Sequence, residues 1–280
     1  MPVQFSPVVD AQPRPIPGFN KLMFVDLDAL GVHGSPLAVL DDFHVAELPF
    51  SAHPHAGFSA ATYVFEDSEG AVRSRTSTGA DLVVGPGGIV WTQAGSGIIH
   101  EEIPARRGVE LHGLQLFVNT TSEHKLNAPR VFALQGGEVP VWERQSDKAR
   151  VVAGSYEGVS SPLPLDEPFT LLDVSLHTRL SYPLREGQNN VIYVLDGDLE
   201  VGGVTERRSL HRGQAVAVSG RGDTVVLGAP AFSHLLVLSG TAVDEPIVEE
   251  GPFIMNSRAQ VEAAIARYRS GEMGALSPST

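Results

Sequence analysis

The sequence predicts an all-β fold in two similar halves, and three observations carry that prediction. The 29 glycines and 20 prolines are spread along the chain, where they punctuate short runs instead of forming one linker. Those runs are four to eight residues long and rich in β-branched and aromatic side chains, the composition that fits a pleated, half-buried surface. Only one segment repeats its apolar residues with helical period, so a βαβ arrangement is excluded and a sandwich or barrel is expected. In chain order the runs are Ala61–Phe65, Asp81–Val84, Gly88–Thr92 and Leu114–Asn119, then Phe169–Leu176, Val191–Leu195, Ala215–Val218, Thr224–Leu227 and Ser233–Leu238. Between the two sets, Gln135-Gly136-Gly137-Glu138-Val139-Pro140 and the charged stretch Glu143–Arg150 break the rhythm. The domain boundary is placed there, giving halves 1–140 and 141–280. The second half repeats the first in pattern: Val191–Leu195 entering Asp196-Gly197-Asp198 parallels Thr62–Phe65 and its acidic turn. The single helix begins at Ser257-Arg258-Ala259-Gln260, which has capping-box form. Val261, Ala264, Ile265 and Tyr268 follow at i, i+3, i+4 and i+7, one apolar stripe that should dock on the β body.

Composition narrows the function. Twenty basic residues against 33 acidic ones leave a net charge of −13, which argues against direct nucleic-acid or anionic-membrane contact, since both rest on positive patches. The absence of cysteine removes disulfides, thiolate nucleophiles and Cys-type zinc sites, so a metal would have to be held by His and carboxylates. No run approaches the roughly 18 apolar residues of a spanning helix, and the first residues lack a charged stretch leading into an apolar core. A soluble protein of cytoplasmic type is expected, with no membrane partner.

Two short motifs concentrate the histidines. His53-Pro54-His55 lies in SAHPHAGF, and His100-Glu101-Glu102 lies in GSGIIHEEIP. Residues two apart in a strand face the same side, so His53 and His55 can converge while Pro54 turns away, and Glu102 rather than Glu101 partners His100. Pro54 fits a strand edge, start or bulge. An isolated His-x-His is ordinary on a polar strand face, but a second motif two or three strands later can return beside the first. Three imidazoles and a carboxylate suit a divalent first-row metal with positions left open. Past these motifs, His112 and Gln115 in HGLQLF alternate as a cavity-lining strand would, and His112 reads either as a residue orienting a ligand or as a plain core or rim histidine. Trp91 and Phe117 read as core, or as walls of an aromatic pocket. The glycine-rich stretches Gly85–Gly88 and Gly95–Gly97 lack the lysine and the following helix of a phosphate loop and are turns.

HPHAGFSAATYVFED, GPGGIVWTQAGSGIIHEEIP, ELHGLQLFVN and EPIVEEGPFIMNSRAQVEAAIARY together resemble the pirin family of bicupins, from about Asp41 to Tyr268. The resemblance implies two stacked antiparallel β-barrels, the first binding metal and the second degenerate. It places the metal ligands on His53, His55, His100 and Glu102, one divalent ion per chain, with Fe(II) the usual metal and other first-row ions exchangeable. His177, His211 and His234 in the second half have no ligand spacing and are read as surface or core. The chain departs from the family where Ala56 replaces an Arg and Ser59 a Glu, positions expected near the pocket entrance.

Three functions follow. One is a metal-dependent dioxygenase opening quercetin-like flavonols or related enediols with release of carbon monoxide, in which Glu102 is both ligand and catalytic base and the partners are a small aromatic substrate and dioxygen. A second is a non-catalytic, metal-containing regulator that binds a transcription factor or metabolic enzyme as protein partner. A third, a metal-free bicupin, is disfavoured because a buried carboxylate beside neutral imidazoles is costly without a cation.

Overall fold

A computed structural model describes residues 3–47, 51–203 and 206–277. Every run expected as a strand is one, with most ends moved by a few residues: Phe58–Val64, Asp81–Val84, Ile89–Gln93, Leu111–Asn119, Phe169–Leu176, Gln188–Gly202, Gln214–Ser219, Thr224–Gly228 and Ser233–Thr241; Val191–Leu195 alone runs on seven residues, through Asp196-Gly197-Asp198, which was expected as a turn. The charged stretch read as a break is instead a hairpin, Val141–Arg144 paired with Asp147–Ala153. Its charges did not signal a loop because the second strand is buried on both faces: Ala149 and Val151 are buried on one, Arg150 and Val152 on the other, with Lys148 partly exposed.

Contacts divide the chain into two compact units. One comprises Met1–Gln12, Val25–Pro36 and Val139–Ala242; the other comprises Pro13–Phe24, Leu37–Glu138 and Val243–Thr280. The largest segment of one unit begins at Val139, and each unit also takes segments from the opposite end of the chain. The C-terminal helix, assigned above to the second half, packs on the short strands Val248–Glu250 and Phe253–Met255 and, with them, against Ala56 and Ile99 of the first half.

In the second of these units a sheet runs in the order Arg130–Leu134, Ile89–Gln93, Phe58–Val64, Leu111–Asn119, Leu37–Val45, Phe19–Phe24. A four-stranded sheet runs His53–His55, Ile98–Pro104, Val72–Thr76, Asp81–Val84. Both contribute to an apolar cluster that includes Leu22, Phe43, Val64, Val72, Val90 and Leu111. The helix Arg258–Ser270 begins where the Ser257 hydroxyl accepts from the Gln260 N–H and ends at Gly271, whose φ of 82° makes the left-handed cap. The Gln260 side chain closes the cap by accepting from the Asn256 N–H. Val261 and Ala264 are buried with Ala56, Phe253 and Met255, whereas Tyr268, expected on the stripe, is exposed.

The other unit is a larger antiparallel sheet whose main path is Gln214–Ser219, Gln188–Gly202, Ser233–Thr241, Phe169–Leu176, Asp147–Ala153, Val141–Arg144. Its interior holds Leu172, Val174, Ile192, Val194, Leu235 and Val237, all buried. Among the described residues no sequence of paired strands returns to its start, so the two closed barrels expected from the sequence are not present as hydrogen-bonded barrels. Alternating strands specify which face is buried, but closure depends on pairing between edge strands, and here those edges stay open. No helix among the described residues is long and apolar enough to cross a membrane.

Candidate metal centre

The site begins with strand register. His53 pairs with His100 and His55 with Ile98 across the antiparallel strands His53–His55 and Ile98–Pro104. Alternation therefore sends all three imidazoles to one face and Pro54 to the other. The three-residue strand lies at the end of its sheet, where the missing proline N–H costs no ladder bond. Directly after it the chain reverses at Gly57, with φ at +87°; a Cβ there would lie 2.0 Å from the Ile254 carbonyl oxygen, so only glycine fits.

The imidazoles converge through Nε2. His53 Nε2 is 3.1 Å from His55 Nε2 and 3.2 Å from His100 Nε2. Nδ1 of His53 donates to the Ser51 carbonyl at 2.9 Å, which fixes the tautomer and leaves Nε2 as a lone pair. Burial, with the neighbouring His53, pushes His55 down to about 3, the nearby Pro252 carbonyl opposing. Burial also holds His100 well below the ordinary histidine range, helped by His55 and His53. These rings are thus kept neutral, the form that ligates metals. Nitrogen lone pairs at this spacing repel one another unless a cation or a proton lies between them. Separations near 3.1 Å are those of neighbouring ligands each about 2.0–2.1 Å from one ion. The donor set fits a first-row dication.

Glu102 faces the same cavity but is not part of the three-imidazole cluster. Its Oε2 accepts from the Thr62 hydroxyl, and its Oε1 accepts from Ser74 Oγ at 3.3 Å. Burial pushes its carboxyl up to about 7, with those two hydrogen bonds opposing. Thr62 Oγ1 also lies 3.0 Å from Gln115 Oε1. Glu101, as alternation requires, faces away from the cavity; it is nevertheless buried, paired with Arg75 at 3.0 Å.

Above the imidazoles is a cavity of about 420 Å³, within the roughly 300–1,000 Å³ range of small-molecule sites. Ile16, Phe19, Leu22, Phe43, Leu111 and Phe117 make its walls apolar, and Arg14 lies 3.7 Å from Asp41 on its lining. Burial raises Asp41 to about 6 despite that arginine. Phe117 packs edge-on to His55 with ring centroids 5.1 Å apart, so the pocket reading of Phe117 holds, whereas Trp91 is buried elsewhere.

Of the two readings of His112 the core or rim one holds: it is on the face of its strand opposite Leu111, Gln115 and Phe117, partly buried and paired with Asp42 and Asp67. The expectations for Ala56 and Ser59 are corrected. Ala56 is fully buried in the cluster with Phe253 and Met255, and Ser59 is buried on its strand; neither lines the cavity or its entrance. The sequence reading missed Thr62, Ser74, Arg14 and Asp41, which come from four separate segments. Gln115 was recognised, and its sharing of a strand face with Phe117, from which His112 is excluded by parity, was a signal that the sequence reading did not use. Among the described residues no second-half histidine joins a ligand cluster. His211 pairs with Asp198 at 2.7 Å and His234 with Asp173 at 2.6 Å.

Comparison with known proteins gives a consistent picture. Residues 21–118 match the family described as Pirin, and residues 171–274 match the Pirin C-terminal cupin domain. A Pseudomonas aeruginosa protein named "Putative quercetin 2,3-dioxygenase PA2418" is 35% identical over 91% of this chain and 92% of its own. Pirin of Rattus norvegicus is 32% identical over 80% of this chain and 77% of its own. Among solved structures, quercetin 2,3-dioxygenase from Acinetobacter baumannii superposes with a TM-score of 0.84 at 25% identity, covering 99% of this chain and all of that one.

Proposed function

The chain belongs to the pirin family, and from that premise we propose that His53, His55, His100 and Glu102 hold one divalent first-row metal in a dioxygenase acting on flavonol-type, quercetin-like or related enediol substrates. The observation that carries this reading is the convergence of three Nε2 atoms, 3.1 and 3.2 Å apart, at an apolar cavity large enough for a flat polycyclic ligand. When bound, Fe(II), the metal favoured by the family resemblance, would supply a Lewis acid and a redox partner for dioxygen.

The protein residues supply position, dryness and a proton acceptor. Phe19, Phe43 and Phe117 offer faces and edges against which an aromatic substrate packs, and the apolar walls keep water from its reacting carbons. Glu102, which lines the cavity, would take a hydroxyl proton from the substrate. Once protonated it can donate to Thr62 Oγ1, which donates in turn to Gln115 Oε1 at 3.0 Å, so the proton rests in a chain of satisfied partners. Ligation to a dication weakens a carboxylate as a base, so this chain is what makes the dual role workable.

The test is oxygen consumption by Fe(II)-loaded protein across a panel of flavonols and enediols. Uptake that disappears in His100→Ala supports the reading; no uptake with any member of the panel overturns the dioxygenase.

A further inference from the structure

On the opposite face of the cavity-lining sheet, strand alternation assembles a second group that the centre above leaves unused. His112 stands opposite His44 in the register of Leu111–Asn119 and Leu37–Val45, and Asp42 lies two residues from His44 on the same face. The two rings stack, with centroids 4.1 Å apart and 12° between their planes. Ligand atoms of Asp42, His44 and His112 all lie within 4.8 Å of one another. The cavity is lined instead by Asp41, Phe43 and Leu111, so the group is separate from His53, His55 and His100.

Each ring is held from behind by a carboxylate. His112 Nδ1 donates to Asp67 Oδ1 at 2.7 Å, and His44 Nδ1 donates to Glu110 Oε1 at 2.9 Å. Glu110 is itself fixed, its other oxygen accepting from Asn20 Nδ2 at 2.6 Å. A carboxylate on the non-ligating nitrogen is the arrangement that sets the tautomer of metal-bound imidazoles and raises their basicity; it leaves Nε2 of His44 for a ligand and puts Nε2 of His112 against a carboxylate that an ion would share. His112 Nε2 already faces Asp42 Oδ1 at 3.2 Å. Charge points the same way. Asp42, Asp67 and Glu110 face Lys21, with Nζ 4.0 Å from Asp42 Oδ2, and the His112 imidazole, whose pKa, against its burial, Asp42 and Asp67 raise, so the three carboxylates favour positive charge here, as a proton on the ring or as a dication in its place.

We propose that Asp42, His44 and His112 form a second site, filled from solution and separate from the resident metal, for a divalent cation of the zinc, nickel or copper class. Two imidazoles and one carboxylate suit those borderline ions and not calcium or magnesium, which require oxygen ligands. The ion takes the position between His112 Nε2 and Asp42, releasing to solvent the proton shared there; because imidazole lone pairs lie in the ring plane, the His44 ring tilts out of its stack on His112 to reach the ion, and the half-exposed Lys21 side chain turns to solvent. Because the histidines sit on neighbouring strands, the ion clips those strands together at one register pair.

The experiment is calorimetric titration of Zn(II) into the chain carrying its resident metal, with melting temperature read in parallel. One additional equivalent per chain and a raised melting temperature are expected. The double substitution His44→Gln, His112→Gln should weaken that equivalent by more than about tenfold, the scale on which even an outer partner's loss is felt. His53→Ala should leave it intact. Lys21→Ala, which removes the competing cation without touching a ligand, should tighten it and so tests the site independently of the double variant's folding. No equivalent beyond the resident metal, one that survives the double substitution, or one that Lys21→Ala weakens, overturns the proposal.

Discussion

In the unit built on Leu37–Glu138, the inward positions of His53–His55 and Ile98–Pro104 carry imidazoles and a carboxylate beneath an open cavity. In the unit built on Val139–Ala242, the inward positions of Phe169–Leu176 and Ser233–Thr241 carry Leu172, Val174, Leu176, Leu235 and Val237, all buried and packed with Ile192 and Val194. The strand rhythm is alike; the chemistry of the inward side chains is opposite. Each fully buried aliphatic side chain stabilises by about 1.5–3 kcal/mol, whereas a buried polar atom without a partner costs about 1–3 kcal/mol. Nδ1 of His100 is such an atom. One unit therefore spends burial on a site and the other on stability, and substitutions should separate the two.

The largest effect is expected at the site. His100→Ala should abolish stoichiometric metal by elemental analysis while circular dichroism and cooperative melting persist, because strand pairing and the apolar cluster around Phe43 and Val90 do not depend on that ring. His177→Ala and His234→Ala should leave metal content unchanged. If metal loss followed the second-half substitutions, the contrast between the units would be wrong.

The reverse experiment is Leu172→Ala. This side chain is fully buried, so its truncation should cost about 2–5 kcal/mol in urea denaturation. Metal per folded chain should stay at the wild-type level.

How much of this was legible in the sequence depends on range. His53, His55 and His100 could be chosen because a period of two is local, and Pro54 and Gly57 punctuate the same few residues. The same rule, applied to His112 and Gln115, three residues apart, puts them on opposite faces; it was the reading of both as one lining that failed. Ala56 was placed at the pocket entrance because nothing local says that Phe253, Met255 and the helix cover that outer face. Thr62, Ser74, Arg14 and Asp41 join the site only through pairings dozens of residues apart, and closure of the sheets is likewise a long-range property.

A finer contrast lies within one strand. Glu102→Gln should lower metal retention by roughly 10–100-fold, the scale on which changes around a metal site are felt. Glu101→Gln should leave metal content nearly unchanged and cost about 1–3 kcal/mol in stability, because the pair with Arg75 is buried and loses its charge-assisted bond. Equal metal loss in both variants would show that alternation does not separate these neighbours.

The smallest expected effect is in the unit built on Val139–Ala242 and is set by pH. Asp147 Oδ1 accepts from the His177 N–H at 2.7 Å and the Thr178 N–H at 3.0 Å, and its other oxygen accepts from the Thr178 hydroxyl. Burial pushes this carboxyl up, but the Thr178 hydroxyl and the two N–H groups outweigh it and hold the group below the usual carboxylate range. A carboxyl with a folded pKa below its unfolded value of about 3.9 binds fewer protons when folded, so its stabilisation is complete above that pH and is lost as acid protonates it through the folded pKa. Asp147→Asn should therefore cost about 1 kcal/mol at pH 7, with the gap from wild type closing as the pH falls below about 4. Urea midpoints at pH 7 and pH 3 measure it, and metal content should not respond at either. A gap that widened in acid would mean that the turn at His177 and Thr178 is held by something other than the ionised carboxylate.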